Sequence, residues 1–182
     1  FFKMTVGGVK YGKGTTEIEV AAKKRRGEAV ANEEAMTPQE KFFNFHDDRI
    51  EDLAWKNEAT SKDLEVFFRI LAVAHTVIPD GPRNPSEITY EAESPDEAAL
   101  VVAAKRFGFF FHSRKIASVM VQESGPNGTT VDAEYEILNI LEFNSTRKRM
   151  SVICKRADDS RILLFCKGAD TVIFERLSES GA

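Results

Sequence analysis

Met150-Ser151-Val152-Ile153-Cys154-Lys155, the polar tip Asp158-Asp159-Ser160, and Ile162-Leu163-Leu164-Phe165-Cys166 read as strand, turn and strand. Branched and aromatic residues fill both arms, and turn formers make the tip. The second arm is apolar on both faces, which predicts a central, covered strand. Upstream, Val119-Met120-Val121, the turn Gly125-Pro126-Asn127-Gly128 and residues 135–143 read as a second hairpin, and residues 109–112 as a further strand. Successive hairpins with separate helices and no βαβ rhythm predict an α+β domain: a largely antiparallel twisted β-sheet flanked by helices.

The helices have their own signals. In Ser94-Pro95-Asp96-Glu97, Ser94 fits the N-cap, Pro95 the first turn and Glu97 the third position, completing a capping box. That helix continues to residue 107 and stops at Gly108. Ser61 caps an earlier helix, with Leu64, Phe67, Phe68, Leu71 and His75 on one face, and Pro79, Pro82 and Pro85 end it in a rigid loop. His75 is expected to be a satisfied, half-buried histidine. Val172, Ile173 and Leu177 make a last amphipathic helix after Gly168, with Asp170 as its cap. At the start of the chain, Phe2, Met4 and Val6 alternate as one strand, and Ile18 and Val20 as another. Gly7-Gly8 and Gly12-Lys13-Gly14 turn between them. Residues 42–55 read as a short strand and a loop. Residues 21–40, with Lys23-Lys24-Arg25-Arg26 and no apolar period, read as a flexible, solvated insert.

The chain has 182 residues, enough for a single domain with its own core. Against 25 lysines and arginines stand 29 aspartates and glutamates, a net charge of −4. That balance excludes the basic field of a dedicated nucleic-acid binder. Cys154 and Cys166 are too few for a disulfide scaffold and fit a reducing compartment. No apolar run approaches the ~18 residues of a membrane span. No H-E-x-x-H, H-x-x-x-H or C-x-x-C spacing and no nucleophile–base pair occurs, so neither a catalytic nor a metal-binding residue is assigned. The start of the chain, Phe1-Phe2-Lys3-Met4, is expected to lie inside a longer protein.

Two phosphate-binding readings remain. Gly7, followed after four residues by Gly12-Lys13, imitates a P-loop, and with it a kinase. Gly14 replaces the magnesium-holding hydroxyl, however, and Thr15-Thr16-Glu17-Ile18 reads as strand rather than helix. The other candidate joins Phe143 at a strand end, the basic run Arg147-Lys148-Arg149, and Lys167-Gly168-Ala169-Asp170 at a strand-to-helix junction. An aromatic ring beside cations suits a purine nucleotide. A non-catalytic protein-interaction module using the same surface is the alternative.

At those residues the sequence resembles a known family. Tyr90-Glu91-Ala92-Glu93-Ser94-Pro95-Asp96-Glu97-Ala98-Ala99-Leu100, Phe143-Asn144-Ser145-Thr146-Arg147-Lys148-Arg149-Met150-Ser151 and Cys166-Lys167-Gly168-Ala169-Asp170 closely resemble the nucleotide-binding (N) domain of P-type ATPases. Their form is that of the P4 class, the phospholipid flippases, with a plant or algal flavour. The resemblance covers nearly the whole chain and is weakest at 21–40. It implies that residues 1–182 are one nucleotide-binding domain of a larger membrane pump, on the cytoplasmic side of an integral membrane protein. It implies ATP as ligand: Phe143 stacked on adenine, Lys167 as the K-G-A lysine, Glu97 near the adenine amino group, and Ser145, Lys148 and Met150 lining the same pocket. The phosphorylated aspartate of the D-K-T-G-T motif is absent. The chain alone is therefore expected to bind ATP without hydrolysing it, as a monomer, with Mg²⁺ acting only in the full-length enzyme. The implied partners are the phosphorylation and actuator domains of the same chain and an accessory β-subunit reached through the membrane part.

Overall fold

The computed structural model describes residues 1–14, 17–27, 40–125, 128–159 and 161–178. The chain divides into two compact units, Phe1–Glu65 and Val66–Ala182.

In the first unit, Gly7 and Gly8 turn the chain between strands β1 (Met4–Val6) and β2 (Val9–Tyr11), which pair antiparallel. Both glycines lie at positive φ, 56° and 76°, the conformation a two-residue hairpin turn demands and one that glycine adopts without a Cβ penalty. This tight turn closes the hairpin earlier than the alternation predicted. Ile18 and Val20 lie in helix α1 (Glu17–Arg25), not in a strand. That segment also holds alanine, glutamate and lysine, all good helix formers, and local propensity there prevails over a two-residue alternation. Of the expected insert, residues 21–25 close α1, and residues 28–39 fall outside the described residues.

No strand forms over 42–55 in place of the expected one. Phe43 makes an isolated bridge to Glu40, and helical turns over Glu51–Asn57 bury Trp55. Phe1, Phe43 and Phe45 pack together, with Phe1 and Phe45 centroids 5.9 Å apart. The buried Asp47 carboxylate accepts from the Gly12 amide (2.9 Å) and from Nε (2.9 Å) and Nη2 (2.7 Å) of Arg49. The Lys13 amide donates to His46 O (2.8 Å), and its ammonium pairs with Asp48. With Gly12 and Lys13 amides engaged and β2 in the middle of the motif, 7–14 is a hairpin and not a phosphate-cradling loop.

The second unit is built on a five-stranded antiparallel meander in the order β5 (Phe109–Arg114), β6 (Ser118–Ser124), β7 (Thr130–Leu141), β8 (Arg149–Arg156), β9 (Ile162–Gly168). Of the turn expected before β7, Pro126 and Asn127 lie outside the described residues, as does Ser160 of the next tip. Helix α2 (Ser61–Val73) supplies Phe68, whose ring lies 4.5 Å from that of Phe107. The prolines after α2 do not make only a loop. Strand β3 (Ile78–Asp80), with Pro79 in it, pairs with β4 (Thr89–Glu91). Helix α3 (Pro95–Arg106) buries Ala98, Val101, Val102, Ala103 and Ala104 and packs against β5. A short helix α4 (Asp170–Phe174) follows β9. Within the sheet, Glu123 is buried beneath two arginines: Arg69 Nη2 reaches it at 3.0 Å and Arg156 Nη1 at 3.4 Å, and the Tyr135 hydroxyl donates to it. Burial alone would raise the Glu123 pKa, but these donors outweigh it and hold it below the usual glutamate range.

The architecture is thus α+β, with an antiparallel sheet flanked by helices. Within the five-stranded sheet, the position of β9 also departs from expectation. β9 is an edge strand rather than a central one, with Ile162 and Leu164 66% and 65% exposed. Its apolar run reflects one face packed on the core, where Phe165 is buried, and a second face left uncovered among the described residues.

The Arg49 hydrogen bonds, working against burial, hold Asp47 at about 2. An unfolded aspartate titrates near ~3.9, so the stability contributed by this group is complete above about pH 4 and fades as pH falls toward 2. Urea unfolding followed by the single, buried Trp55 should show that loss in the native chain. Asp47→Asn should be less stable at neutral pH and flatter across the pH 4–2 window.

Candidate functional site

The β8–β9 register pairs Met150 with Lys167 and Arg149 with Gly168, so Met150 and Lys167 are cross-strand neighbours at one end of the sheet. The first turn of α3 arrives at the same end with Glu97. The segment following α2 brings Thr76, and the chain leaving β7 brings Glu142 and Phe143. Together with Glu93, Ser94, Asp96, Leu100 and Gly168 they line a hollow of about 530 Å³. That is ample room for a nucleoside-sized ligand.

Four of the six residues singled out from the sequence meet there: Phe143, Lys167, Glu97 and Met150. Ser145 and Lys148 do not line it. Both are exposed in the 142–148 loop, where Lys148 takes a positive φ of 50° and its amide donates to Asn144 O (2.7 Å). The basic run has a structural use instead. Arg147 Nη1 donates to Leu141 O (3.0 Å) and Glu142 O (3.1 Å), tying down the loop that carries Phe143. Phe143 itself is 62% exposed, an aromatic ring presented to solvent at the rim.

Lys167 sits inside the hollow and not at its mouth. Its ammonium is buried and has no hydrogen-bond partner among the described residues. The nearest countercharge is Glu97 Oε1 at 3.7 Å, an ion-pair distance too long for a hydrogen bond. Burial lowers the Lys167 pKa, and Glu97 counteracts part of that fall. Glu97 does not close a capping box. Ser94 Oγ accepts from the Asp96 amide (3.2 Å), but the Glu97 carboxylate is turned toward Thr76. Thr76 N donates to Oε1 (3.2 Å) and Thr76 Oγ1 to Oε2 (3.0 Å). A tertiary partner with two donors replaces the local N-terminal amide that the motif predicts.

The segment carrying Thr76 is itself clamped. Arg114 Nη2 donates to His75 O (2.8 Å) and Nε to Val77 O (3.0 Å). Arg114 Nη2 also lies 3.2 Å from His75 Nδ1, and a guanidinium only donates, so Nδ1 accepts and Nε2–H donates to Ala72 O (2.8 Å). Burial, then the charges of Arg114 and Lys167, keep His75 neutral by holding its pKa well below the usual range. His75 is fully buried rather than half-buried.

Thr76, Leu100 and Glu142, with Glu93, Ser94, Asp96 and Gly168, were not anticipated as site residues. Leu100 ends a quoted motif and Glu142 adjoins one. Thr76 ends the stretch 67–76, which also resembles the family, but no motif there points to a site role. Of the charged residues that line the hollow, Glu93, Asp96, Glu97 and Glu142 are acidic and Lys167 is basic. No group of three or more metal-ligating side chains occurs among the described residues.

The chain is thus an α+β domain with this hollow at one end of its antiparallel sheet, and comparison with known proteins places it in a family. The family model described as "P-type ATPase, cytoplasmic domain N" matches residues 66–181, and the chain belongs to that family. Its relatives carry the name phospholipid-transporting ATPase. Probable phospholipid-transporting ATPase 12 of Arabidopsis thaliana is 47% identical over 100% of this chain and 16% of its own length. Phospholipid-transporting ATPase 10 of the same plant is 46% identical with the same coverage. Phospholipid-transporting ATPase IC of Xenopus tropicalis is 41% identical over 97% of the chain and 13% of its own length. The chain thus spans about a sixth of the length of its first curated relatives. Among the described residues no helix is long and apolar enough to cross a membrane.

Gly168 closes the hollow where only a hydrogen fits. A Cβ there would stand 2.5 Å from Arg149 Cβ and 2.6 Å from Lys148 O. Gly168→Ala should therefore lower stability by about 1–3 kcal/mol, as overpacking does. Chemical denaturation measures the loss, and amide chemical shifts should move most at the Arg149 end of β8.

Proposed function

We propose that this hollow binds the adenine end of ATP and that residues 1–182 act as one nucleotide-binding domain of a phospholipid-translocating P-type pump. The observation that carries the reading is the pairing of Phe143, an exposed ring at the rim, with an unsatisfied ammonium buried beside Glu97 in the same hollow. A purine stacks on the Phe143 face. Glu97 keeps lone pairs free beyond its two Thr76 bonds and accepts from the exocyclic amino group. Lys167 donates to an acceptor beside it, and Met150 forms an apolar wall. Ser145 and Lys148 reach only the part of the nucleotide that emerges from the hollow. The excess of carboxylates gives a polyphosphate little to gain here, which makes binding weak and nearly independent of magnesium.

Within the whole pump, the domain holds ATP and presents its γ-phosphate to an aspartate of the phosphorylation domain, where magnesium offsets the developing charge. The actuator domain, the membrane part and an accessory β-subunit complete the machine, with this domain on its cytoplasmic side. Hydrolysis and lipid translocation belong to that assembly and not to residues 1–182.

An NMR titration of the chain with ATP should saturate and shift Phe143, Glu97 and Lys167 with or without magnesium. Phe143→Ala should remove about 1–3 kcal/mol of binding free energy, the usual worth of base–aromatic stacking. Absence of a saturable response at millimolar ATP would sink the reading and leave the surface to a protein partner.

A further inference from the structure

Glu97 and Lys167 set an acceptor beside a donor, 3.7 Å apart. Adenine answers with an amino donor beside a ring-nitrogen acceptor, and guanine with a carbonyl acceptor beside a ring N–H. Exchanging the places of carboxylate and ammonium would turn an adenine site into a guanine site. Charge alone does not select the base. Selection requires that the carboxylate be unable to move.

Thr76 supplies that constraint. Its amide and its hydroxyl each take one oxygen of Glu97, a two-point hold that fixes both the position and the plane of the carboxylate. Thr76 cannot swing away in turn, because Arg114 grips the carbonyls on either side of it, at His75 and Val77. His75 is packed 4.5 Å from the Phe111 ring and bonded to Ala72 O. The donors of Thr76 are what this braced segment leaves facing the hollow.

We infer that Thr76 is a positioning residue that sets base selectivity, holding the Glu97 carboxylate where it meets an amino group and so favouring adenine over guanine. This rests on the nucleotide-binding reading above. Thr76 acts through Glu97 and contributes no contact of its own to the base.

The test compares ATP and GTP affinities of the native chain with those of Thr76→Val, which keeps shape and amide but lacks the hydroxyl, and Thr76→Ser, which keeps both donors. Thr76→Ala replaces the valine variant if that fails to fold, as judged by amide shifts in β6 and β7. The native chain and Thr76→Ser should prefer ATP, and Thr76→Val should lose about tenfold of that preference, the worth of one hydrogen bond to a charged group. An ATP-to-GTP ratio unchanged in Thr76→Val overturns the inference while leaving ATP binding intact. Equal loss of both affinities marks Thr76 as merely structural and overturns it too. A native chain that binds neither nucleotide removes the inference and the underlying reading together.

Discussion

A buried ammonium group is the constraint around which one end of the sheet is arranged. The Lys167 ammonium is buried with the Glu97 carboxylate at 3.7 Å, and a charge in such surroundings is costly unless compensated. Compensation at 3.7 Å requires Glu97, and Glu97 in turn requires its two Thr76 donors. The chain of dependence runs on through Arg114 to the carbonyls of His75 and Val77. Residues 76, 97, 114 and 167 come from a post-helix segment, a helix start and two strands, so the site exists only when all four elements are assembled. A polar network satisfied in all but one member is a natural place for a ligand to complete it.

The rest of the unit keeps that network in register. The meander sets Met150 opposite Lys167, and Gly168 lets β9 approach β8 at the one point where a methyl group would collide with Arg149 and Lys148. The 142–148 loop is braced by Arg147 on its own carbonyls, so Phe143 stands exposed without being mobile by default. Deeper in the sheet the same principle recurs in a closed form. Glu123 is buried among Arg69, Arg156 and Tyr135, and its carboxylate has all three as partners. The Lys167 ammonium, by contrast, has one carboxylate at ion-pair distance and no hydrogen bond among the described residues.

Legibility from sequence followed the range of the interactions. The Ser94-Pro95 helix start, the Gly108 stop and the order of hairpins in the meander depend on neighbours within a few residues and were legible. β7 nevertheless starts at Thr130 and ends at Leu141, so that Phe143 lies in the loop after it and not at the strand end. Errors arose where two local signals competed or where a distant partner intervened. Gly7-Gly8 closed a hairpin that alternation had extended to Val20, because two adjacent glycines make the tighter turn. The apolar run of β9 is the same whether a strand is central or at an edge, since burial on a second face depends on what is packed there. Glu97 obeyed the spacing of a capping box yet bonds Thr76, twenty-one residues away, whose two donors outcompete one local amide.

Motif chemistry in the amino-acid sequence was enough to establish an antiparallel α+β domain of the P-type ATPase N family and to nominate Phe143, Glu97, Met150 and Lys167. Those residue types at those strand and helix ends are a property of order along the chain. The depth of Lys167, the structural employment of Arg147 and the hold of Thr76 on Glu97 were decided only in three dimensions. Each depends on which side chain lies within about 3–4 Å across the fold, and hydrogen bonds and ion pairs act over that distance without regard to separation in sequence.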